Sequence, residues 1–371
     1  MLPPATCTLR PYQQRLVDKA VAMFLGEHRN GADELEPAAR SVMIESPTGS
    51  GKTVCGLHIA KVLQERTGAR VGWVAMRRNL LDQAAAENLR HGIGVDLVTI
   101  SLFERNPPTD IDLLVCDESQ HDASNSASHI HNSVQARWIL GLTATPYRTD
   151  RVRLCFDKVV KDTGIHQLIQ DGYLSRFDHF TIPRWDAETL AETFTADQER
   201  WGKSIFFFHT VGECREFQRR LVAKGIQCEV VTGSSDRETQ LTAFREGRVK
   251  VLANCCVLTE GFDDPTLKTA WVRPSAKGPT VQMAGRALRM HDGVPVKQIV
   301  QCRNTPHPFV KTATPRLQFL WHPEGWRSLT LNPKLDLCTF NTRRAIAQTV
   351  VALPEFLTRK VASRRVRTGA E

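Results

Sequence analysis

The stretch Glu45-Ser46-Pro47-Thr48-Gly49-Ser50-Gly51-Lys52-Thr53 decides how the rest of the chain is interpreted. It follows a short apolar run, and a helical pattern of apolar residues comes after it. Strand, glycine loop and helix in this order predict a phosphate-binding loop, because the glycines let successive backbone N–H groups point into one concavity. In such a loop Lys52 reaches the β- and γ-phosphates and the hydroxyl of Thr53 ligates Mg²⁺. Ser46 departs from the full GxxxxGK[ST] pattern, which has glycine there.

Length and composition limit the possible classes of protein. A chain of 371 residues suggests two domains, and a net charge of +9 is compatible with a nucleic-acid partner. Ten cysteines without CxxC spacing indicate buried thiols in a reducing compartment. There is no apolar run long enough to span a membrane, and the first residues lack a secretory pattern. We therefore expect a cytoplasmic protein with no membrane partner.

The first half of the chain alternates short apolar runs with helical patterns or polar loops, which predicts a parallel sheet covered by helices. Ligands bind at the carboxyl ends of the strands in such sheets. Each strand candidate here is followed by a polar cluster, so we expect one shared site. After Ser41–Ile44, the strand candidates are Val71–Ala75, Val95–Ile100, Ile111–Cys116 and Trp138–Leu142.

Two further clusters fit a nucleotide site. The run ending in Asp117 and Glu118 resembles a Walker-B element, in which Asp117 holds Mg²⁺ and Glu118 orients or deprotonates the attacking water. Upstream, the amide of Gln13 offers a donor and an acceptor, which is what the adenine edge requires, and Arg10 or Tyr12 could stack on the ring.

The second half repeats the alternating pattern without a second phosphate loop, which implies a cleft site to which the second domain contributes. Its strand candidates are Ser204–Phe208, Cys228–Val231, Val249–Ala253, Thr269–Val272 and Gln298–Cys302. We expect one domain over residues 1–153, an interdomain connection over 154–203, a second domain over 204–303 and a small basic C-terminal extension over 304–371. Within that extension, residues 319–327 are typical of a hairpin.

Gln13, GSGKT (49–53), DESQH (117–121) and TATP (143–146), in this order, resemble the first motor domain of the superfamily 2 helicases. The nearest resemblance is to the phage-type and type III restriction-enzyme-subunit branch, which has a DExH-type box. That box has histidine three places after the aspartate, whereas this chain has Gln120 there and His121 next. Which of these two couples to the second domain stays open. The resemblance implies an α/β fold of two tandem RecA-like parallel-sheet domains with a nucleotide cleft between them.

The resemblance extends to the second half. Thr259-Glu260-Gly261-Phe262-Asp263 is similar to motif V, in which Gly261 and Asp263 approach the nucleotide. Residues 282–289 match the QxxGRxxR motif, and Gln282, Arg286 and Arg289 share one face if the motif is helical. Arginine suits this position because its planar, permanently charged fork can stabilise charge on the transferring γ-phosphoryl group. We expect Arg289 to be the arginine finger and Arg286 to be a second phosphate contact.

The resemblance also implies the site residues as three sets. The catalytic set is Lys52, Asp117, Glu118, Arg286 and Arg289, with Thr53 and Asp117 as the metal ligands. The nucleotide-binding set is Gln13, Thr48, Gly49, Ser50, Gly51, Lys52, Thr53, Gln120, Gly261, Asp263 and Gln282. The nucleic-acid set is Arg77, Arg78, Thr99, Ser101, His209, Thr232 and Thr259.

These expectations describe a helicase or translocase that uses ATP and Mg²⁺ and moves along a nucleic-acid backbone, with DNA preferred over RNA. A protein partner could supply sequence specificity or nuclease activity. Two alternatives stay open. One is a motor subunit of a nuclease or restriction complex that moves on duplex without separating the strands. The other is an ATP-gated module that binds or anneals nucleic acid.

Overall fold

The chain folds into two sheets with helices packed on them, and the strands predicted from the sequence are present in the predicted chain order. A computed structural model describes residues 8–119, 124–144, 156–255, 258, 262–322 and 325–329. The first sheet has the strand order β3-β2-β4-β5-β1-β6, and its pairings are parallel. Its strands are β1 (Ser41–Glu45), β2 (Val71–Ala75), β3 (Leu97–Ser101), β4 (Leu113–Asp117), β5 (Trp138–Thr143) and β6 (Lys158–Val160).

Among the described residues, four helices accompany the first sheet. They are α1 (Pro11–Leu25), α2 (Lys52–Thr67), α3 (Arg78–Arg90) and α4 (Asn125–Val134). Proline at the first position suits the start of α1, since its missing N–H has no partner there. The left-handed Gly26 (φ 71°) and Gly68 (φ 73°) end α1 and α2. Apolar residues along α1 are buried against this domain, as their spacing predicts.

The second sheet has the order β14-β13-β7-β12-β11-β8-β10-β9, and its described pairings are parallel except for the β13–β14 hairpin. Its strands are β7 (Arg176–Ile182), β8 (Ser204–Phe208), β9 (Glu229–Val231), β10 (Val251–Cys255), β11 (Thr269–Trp271), β12 (Val296–Cys302), β13 (Gln318–His322) and β14 (Gly325–Ser328). The helices of this half are α5 (Ile165–Gln170), α6 (Ala187–Ala196), α7 (Gln198–Trp201), α8 (Val211–Val222), α9 (Arg237–Arg245) and α10 (Lys277–Gly285).

The predicted interdomain connection over 154–203 is corrected by the structure. Strand β6 pairs with β1 of the first sheet, and β7 pairs with β12 inside the second sheet. The acidic stretch after β7 forms α6 and α7, whose apolar residues, including Phe194 and Trp201, are buried. The acidic residues of this stretch suggested an exposed linker. In the structure Glu188, Glu192 and Glu199 are exposed on the outer face of these helices.

The predicted extension over 304–371 is also corrected in part. The expected hairpin is present, but β13 pairs in parallel with β7 and so continues the second sheet. Phe319 of β13 stacks on Phe180 of β7, with ring centroids 4.7 Å apart. Residues 330–371 lie outside the described part of the chain.

One cluster of buried apolar side chains runs from the first domain into the second and includes Tyr12, Leu63, Leu174, Phe262 and Leu288. The two sheets are therefore packed together around the cleft that holds the candidate site. Within the described ranges, no helix combines the length and the apolar character that crossing a membrane would require.

Candidate nucleotide site between the two sheets

The phosphate loop has the backbone that its glycines were expected to permit. Gly49 and Gly51 both have positive φ, 83° and 80°, a conformation that glycine adopts without steric cost. Helix α2 begins directly after them at Lys52, so its first N–H groups and its positive dipole end face the loop. A cavity of about 340 Å³ opens over this loop, with Thr48, Lys52 and Thr53 in its wall. The loop can therefore receive an anionic group.

Ser46, which departs from the usual glycine, has a role in the structure. Its hydroxyl lies 2.7 Å from the hydroxyl of Ser50, and the Ser50 hydroxyl also donates to the Pro47 carbonyl at 2.6 Å. Both serine side chains are buried. The first turn of the loop is thus held by side-chain hydrogen bonds.

Helix α1 is tied to the same loop through its first turn. Tyr12 Oη and Gln13 Nε2 both donate to the Ser50 carbonyl, at 2.5 and 3.0 Å. Gln13 Oε1 accepts from the Arg10 N–H at 2.9 Å. Gln13 also lines the cavity, and its amide can donate one further hydrogen bond and accept another.

The acidic pair lies where the strand order predicts. Asp117 is the last residue of β4, and β4 is separated from β1 by β5 alone, so its carboxyl end meets the phosphate loop. Glu118 follows with φ 53°, a conformation uncommon for a long side chain and typical of functional sites. Burial lowers the pKa of Lys52, while the negative charges of Glu118 and Asp117 act in the opposite direction.

The second domain contributes Asp263, Arg286 and Arg289 to the same cavity. The predicted shared helix face is corrected, because α10 ends at Gly285 and both arginines lie beyond it. A Cβ placed on Gly285 would lie 3.1 Å from Thr48 Cβ, so the backbone at the helix end packs against the phosphate loop. Ending the helix there lets the chain turn both arginines into the cleft.

The arginines are held by neighbours in their own domain. Arg286 NH1 donates to the Phe262 carbonyl at 3.1 Å. Arg289 forms an ion pair with Asp263. Burial lowers the pKa of Arg289 to about 10, so its guanidinium remains protonated at neutral pH. A permanent positive charge thus stands opposite the phosphate loop.

The cavity wall contains most of the predicted catalytic and nucleotide-binding residues. Those that line it are Gln13, Thr48, Gly49, Gly51, Lys52, Thr53, Asp117, Glu118, Asp263, Arg286 and Arg289. Ser50 lies behind the wall, and Gln282 is half-buried on α10 outside it. Gln120 and Gly261 fall outside the described residues, as do His121 and Thr145.

One wall of the cavity was not predicted from the sequence. It is formed by α3, through Leu80, Gln83, Glu87 and Arg90, and by His91 directly after this helix. Glu87 Oε2 lies 2.8 Å from His91 Nε2, and the Glu87 charge favours the protonated form of Arg289. The spacing of three and four residues is the signal that these side chains share one helix face. It does not by itself indicate which way that face points.

The predicted nucleic-acid residues lie mostly at strand ends. Arg77 is the N-cap of α3, and Ser101 ends β3. His209 follows β8, and Thr232 follows β9. Arg78 begins α3 and Thr99 is exposed within β3, while Thr259 lies outside the described residues.

Two arginines were not expected from the sequence. Arg273 NH1 donates to His209 Nδ1 at 2.8 Å, and burial together with the Arg273 charge lowers the pKa of His209. The pKa of Arg237 is lowered by burial and then by the positive charge of Arg77, which belongs to the other domain. Arg77 and Arg237 therefore bring positive charge from the two domains close together.

Two RecA-like domains with a single phosphate loop in the cleft between them are the architecture of helicases and related ATP-driven motors. Residues 6–99 match the family model for the type III restriction enzyme res subunit. Residues 185–291 match the model for the helicase conserved C-terminal domain. The two models together cover more than half of the chain, which belongs to the superfamily 2 helicases, in the branch that resembles type III restriction enzymes.

Individual relatives agree with this family. The chain is 28% identical over 259 residues to a 51.5 kDa protein of Lactococcus phage (isolate 7-9), which covers 60% of this chain and 56% of the relative. It is 26% identical over 352 residues to the "Putative mitochondrial ATP-dependent helicase irc3" of Schizosaccharomyces pombe. This match covers 77% of this chain and 55% of the relative. The chain thus spans little more than half the length of these relatives.

A solved structure shows the same fold. The ATP-dependent Type ISP restriction-modification enzyme LlaBIII bound to DNA superposes with a TM-score of 0.55 and 17% sequence identity. The match covers 82% of this chain and 28% of that enzyme. At this level of identity the likeness concerns the fold alone.

Proposed function

We propose that this chain hydrolyses ATP in the cleft between its RecA-like domains and uses the opening and closing of the cleft to move along nucleic acid. The observation that carries the proposal is the convergence on one cavity. Lys52 and Asp117 reach it from the first domain, and Arg286 and Arg289 reach it from the second. Charges from two domains around one phosphate loop suit a transferring phosphoryl group, whose negative charge needs stabilisation on several sides.

The residues divide the work of hydrolysis. Lys52 neutralises the β- and γ-phosphates, and Gln13 reads the adenine edge. Glu118 takes a proton from the attacking water while the bond between the γ-phosphorus and the bridging oxygen breaks and ADP leaves with the electron pair. Arg286 and Arg289 stabilise the charge on the transferring group.

Thr53 and Asp117 are the residues we propose as Mg²⁺ ligands. Both line the cavity, and hydroxyl and carboxylate oxygens are the ligands that this ion prefers. Bound Mg²⁺ would neutralise charge on the β- and γ-phosphates. The chain's own contribution is to hold the acidic Asp117 close enough to Lys52 for their charges to interact.

We propose DNA as the track, because residues 6–99 match the model of a restriction-enzyme subunit and restriction enzymes act on DNA. Arg77 and Arg237 carry positive charge on the two sides of the cleft, so a phosphate backbone lying across both domains would be attracted by each. Contacts to phosphates carry little sequence information, which leaves room for a partner that supplies specificity or nuclease activity. For the cellular location we propose the cytoplasm of a bacterial or phage-infected cell, since one relative is a phage protein.

Steady-state ATP hydrolysis tests the proposal. It is measured without nucleic acid and with single-stranded DNA, duplex DNA or RNA, each with and without Mg²⁺. The Lys52→Ala variant serves as the inactive form. Lys61→Ala is its matched control, because Lys61 lies on the same helix and bonds the Gly94 carbonyl on the surface. We expect stimulation by DNA that Lys52→Ala abolishes and Lys61→Ala retains. Absence of hydrolysis under every condition would refute the proposal.

Movement on duplex without strand separation is a second candidate, and the match to a restriction-enzyme subunit favours it. A strand-displacement assay and a triplex-displacement assay distinguish the two. Displacement of a labelled strand from a forked duplex indicates unwinding. Displacement of only the third strand of a triplex indicates translocation on intact duplex.

A further inference from the structure

Three consecutive residues between α5 and β7, namely Tyr173, Leu174 and Ser175, contact both halves of the candidate site, and we call them the bridging segment. The ring centroids of Tyr173 and Tyr12 are 5.3 Å apart. The guanidinium of Arg10 lies over the Tyr173 ring, 4.9 Å from its centroid. Arg10 lines the cavity, and Tyr12 donates to the Ser50 carbonyl. The first residue of the segment thus supports the part of the site that faces the base.

The second residue of the bridging segment lies against the phosphate loop. A Cβ placed on Gly49 would meet Leu174 Cδ2 at 3.2 Å and Arg289 Cγ at 3.6 Å. Leu174 is 2% exposed. Leu174 and the stem of Arg289 therefore cover the same glycine from the second-domain side.

The third residue holds the backbone that carries Arg289. Ser175 N–H donates to the Leu288 carbonyl at 2.8 Å, and Ser175 Oγ donates to the Arg289 carbonyl at 3.0 Å. Ser175 is 4% exposed. Because α10 ends at Gly285, the backbone of Arg289 lies outside the helix, and these two bonds fix its position.

We propose that the bridging segment couples the base side of the nucleotide site to the arginine finger, with Ser175 as a positioning residue that acts through Arg289. The inference rests on the proposed function, since it gives the segment a role in the same reaction. A shift of the Arg10 and Tyr12 pair on nucleotide binding would move Tyr173, and two residues later Ser175 would move the Arg289 backbone. Nucleotide recognition and charge stabilisation are then linked by three residues of continuous chain.

A kinetic cycle with Ser175→Ala and Arg289→Ala tests this proposal. The alanine removes the hydroxyl bond and keeps the backbone bond to Leu288, so we expect kcat/KM for ATP to fall by roughly 3- to 10-fold. If Ser175 acts through Arg289, the double variant hydrolyses ATP no more slowly than Arg289→Ala alone. Multiplying effects of the two substitutions would overturn the proposal.

A matched control is Thr193→Val, which removes another buried hydroxyl of this domain. Thr193 Oγ1 donates to the Thr189 carbonyl at 2.6 Å within α6, so we expect kcat/KM for ATP to stay as in wild type. Equal losses of kcat/KM in Thr193→Val and Ser175→Ala would indicate a merely structural role. A thermal melt of each variant confirms that it is folded.

A binding measurement separates failure of this inference from failure of the proposed function. The ratio of affinities for a non-hydrolysable ATP analogue and for ADP reports the contact of Arg289 with the γ-phosphate without any turnover. We expect Arg289→Ala and Ser175→Ala both to lower this ratio. Wild type that binds neither nucleotide would refute the proposed function. Wild type that prefers the ATP analogue, together with an unchanged ratio in Ser175→Ala, would refute the coupling alone.

Discussion

Replacing Gly285 by alanine tests whether the two domains must close on each other as tightly as the structure shows. The new Cβ would lie 3.1 Å from Thr48 Cβ, whereas carbon atoms in favourable contact are about 3.5–4.0 Å apart. Thr48 is buried and β-branched, so its side chain has little freedom to move aside. Overpacking of this kind costs about 1–3 kcal/mol. The cost falls on the contact between domains, because Gly285 ends α10 of the second domain and Thr48 lies in the phosphate loop of the first.

The assay is nucleotide affinity and steady-state hydrolysis of Gly285→Ala. If ATP binding requires the closed cleft, this cost lowers the affinity by about 5- to 150-fold. Gly212→Ala on α8 is the matched control, because its Cβ would meet no heavy atom closer than 3.7 Å. Wild-type affinity and turnover in Gly285→Ala would refute the idea that nucleotide binding requires this contact.

Three further predictions concern the acid, the track and the stability of the second domain. Glu118→Gln should slow hydrolysis by about 10²- to 10⁴-fold while ATP still binds, as measured by phosphate release and nucleotide titration. Function that survives in this variant would indicate a nucleotide-gated clamp instead of a motor. Arg77→Ala should weaken binding to single-stranded DNA and reduce the slope of log affinity against log salt by about one. An unchanged slope would argue against a phosphate contact. Burial lowers the pKa of His179 in the folded protein. As pH falls below about 6.5, the unfolded chain therefore binds a proton at His179 that the folded protein does not yet bind, and the free energy of unfolding decreases. The His179→Gln variant should lose less stability than wild type between pH 7.5 and 5.5 in denaturant titrations, and an equal loss would contradict this cause.

Much of the fold followed from local patterns. The apolar runs predicted most of the strands to within one or two residues, as with Val71–Ala75 and Ser204–Phe208, but β6 and β7 were not predicted. Burial on both faces makes such runs continuously apolar, so they are visible without any knowledge of their neighbours. A linker was predicted over α6 and α7 because this stretch is rich in acidic residues. The acidic residues lie on one face of these helices, and Phe194 and Trp201 are buried on the other.

The candidate site, like the fold, was predicted from the sequence only in part. Gly49, Gly51, Lys52 and Asp117 were recognisable because the phosphate loop and the acidic strand end each need particular residue types at fixed spacing. Glu87 and Arg237 were not recognisable, since a charged residue on a helix is usually only solvated. Their places in the cleft depend on how each helix is rotated about its axis, which packing decides.

By itself the sequence therefore determined the two-domain α/β class, the phosphate loop and the order of the motor motifs, because each depends on backbone preferences over a few neighbouring residues. Only the tertiary structure decided that Gly285 packs on Thr48 and that Ser175 holds the backbone of Arg289. Ser175 and Arg289 lie 114 positions apart in the chain. Contacts at such separation arise from the summed packing of two sheets and their helices, and no local pattern records that sum.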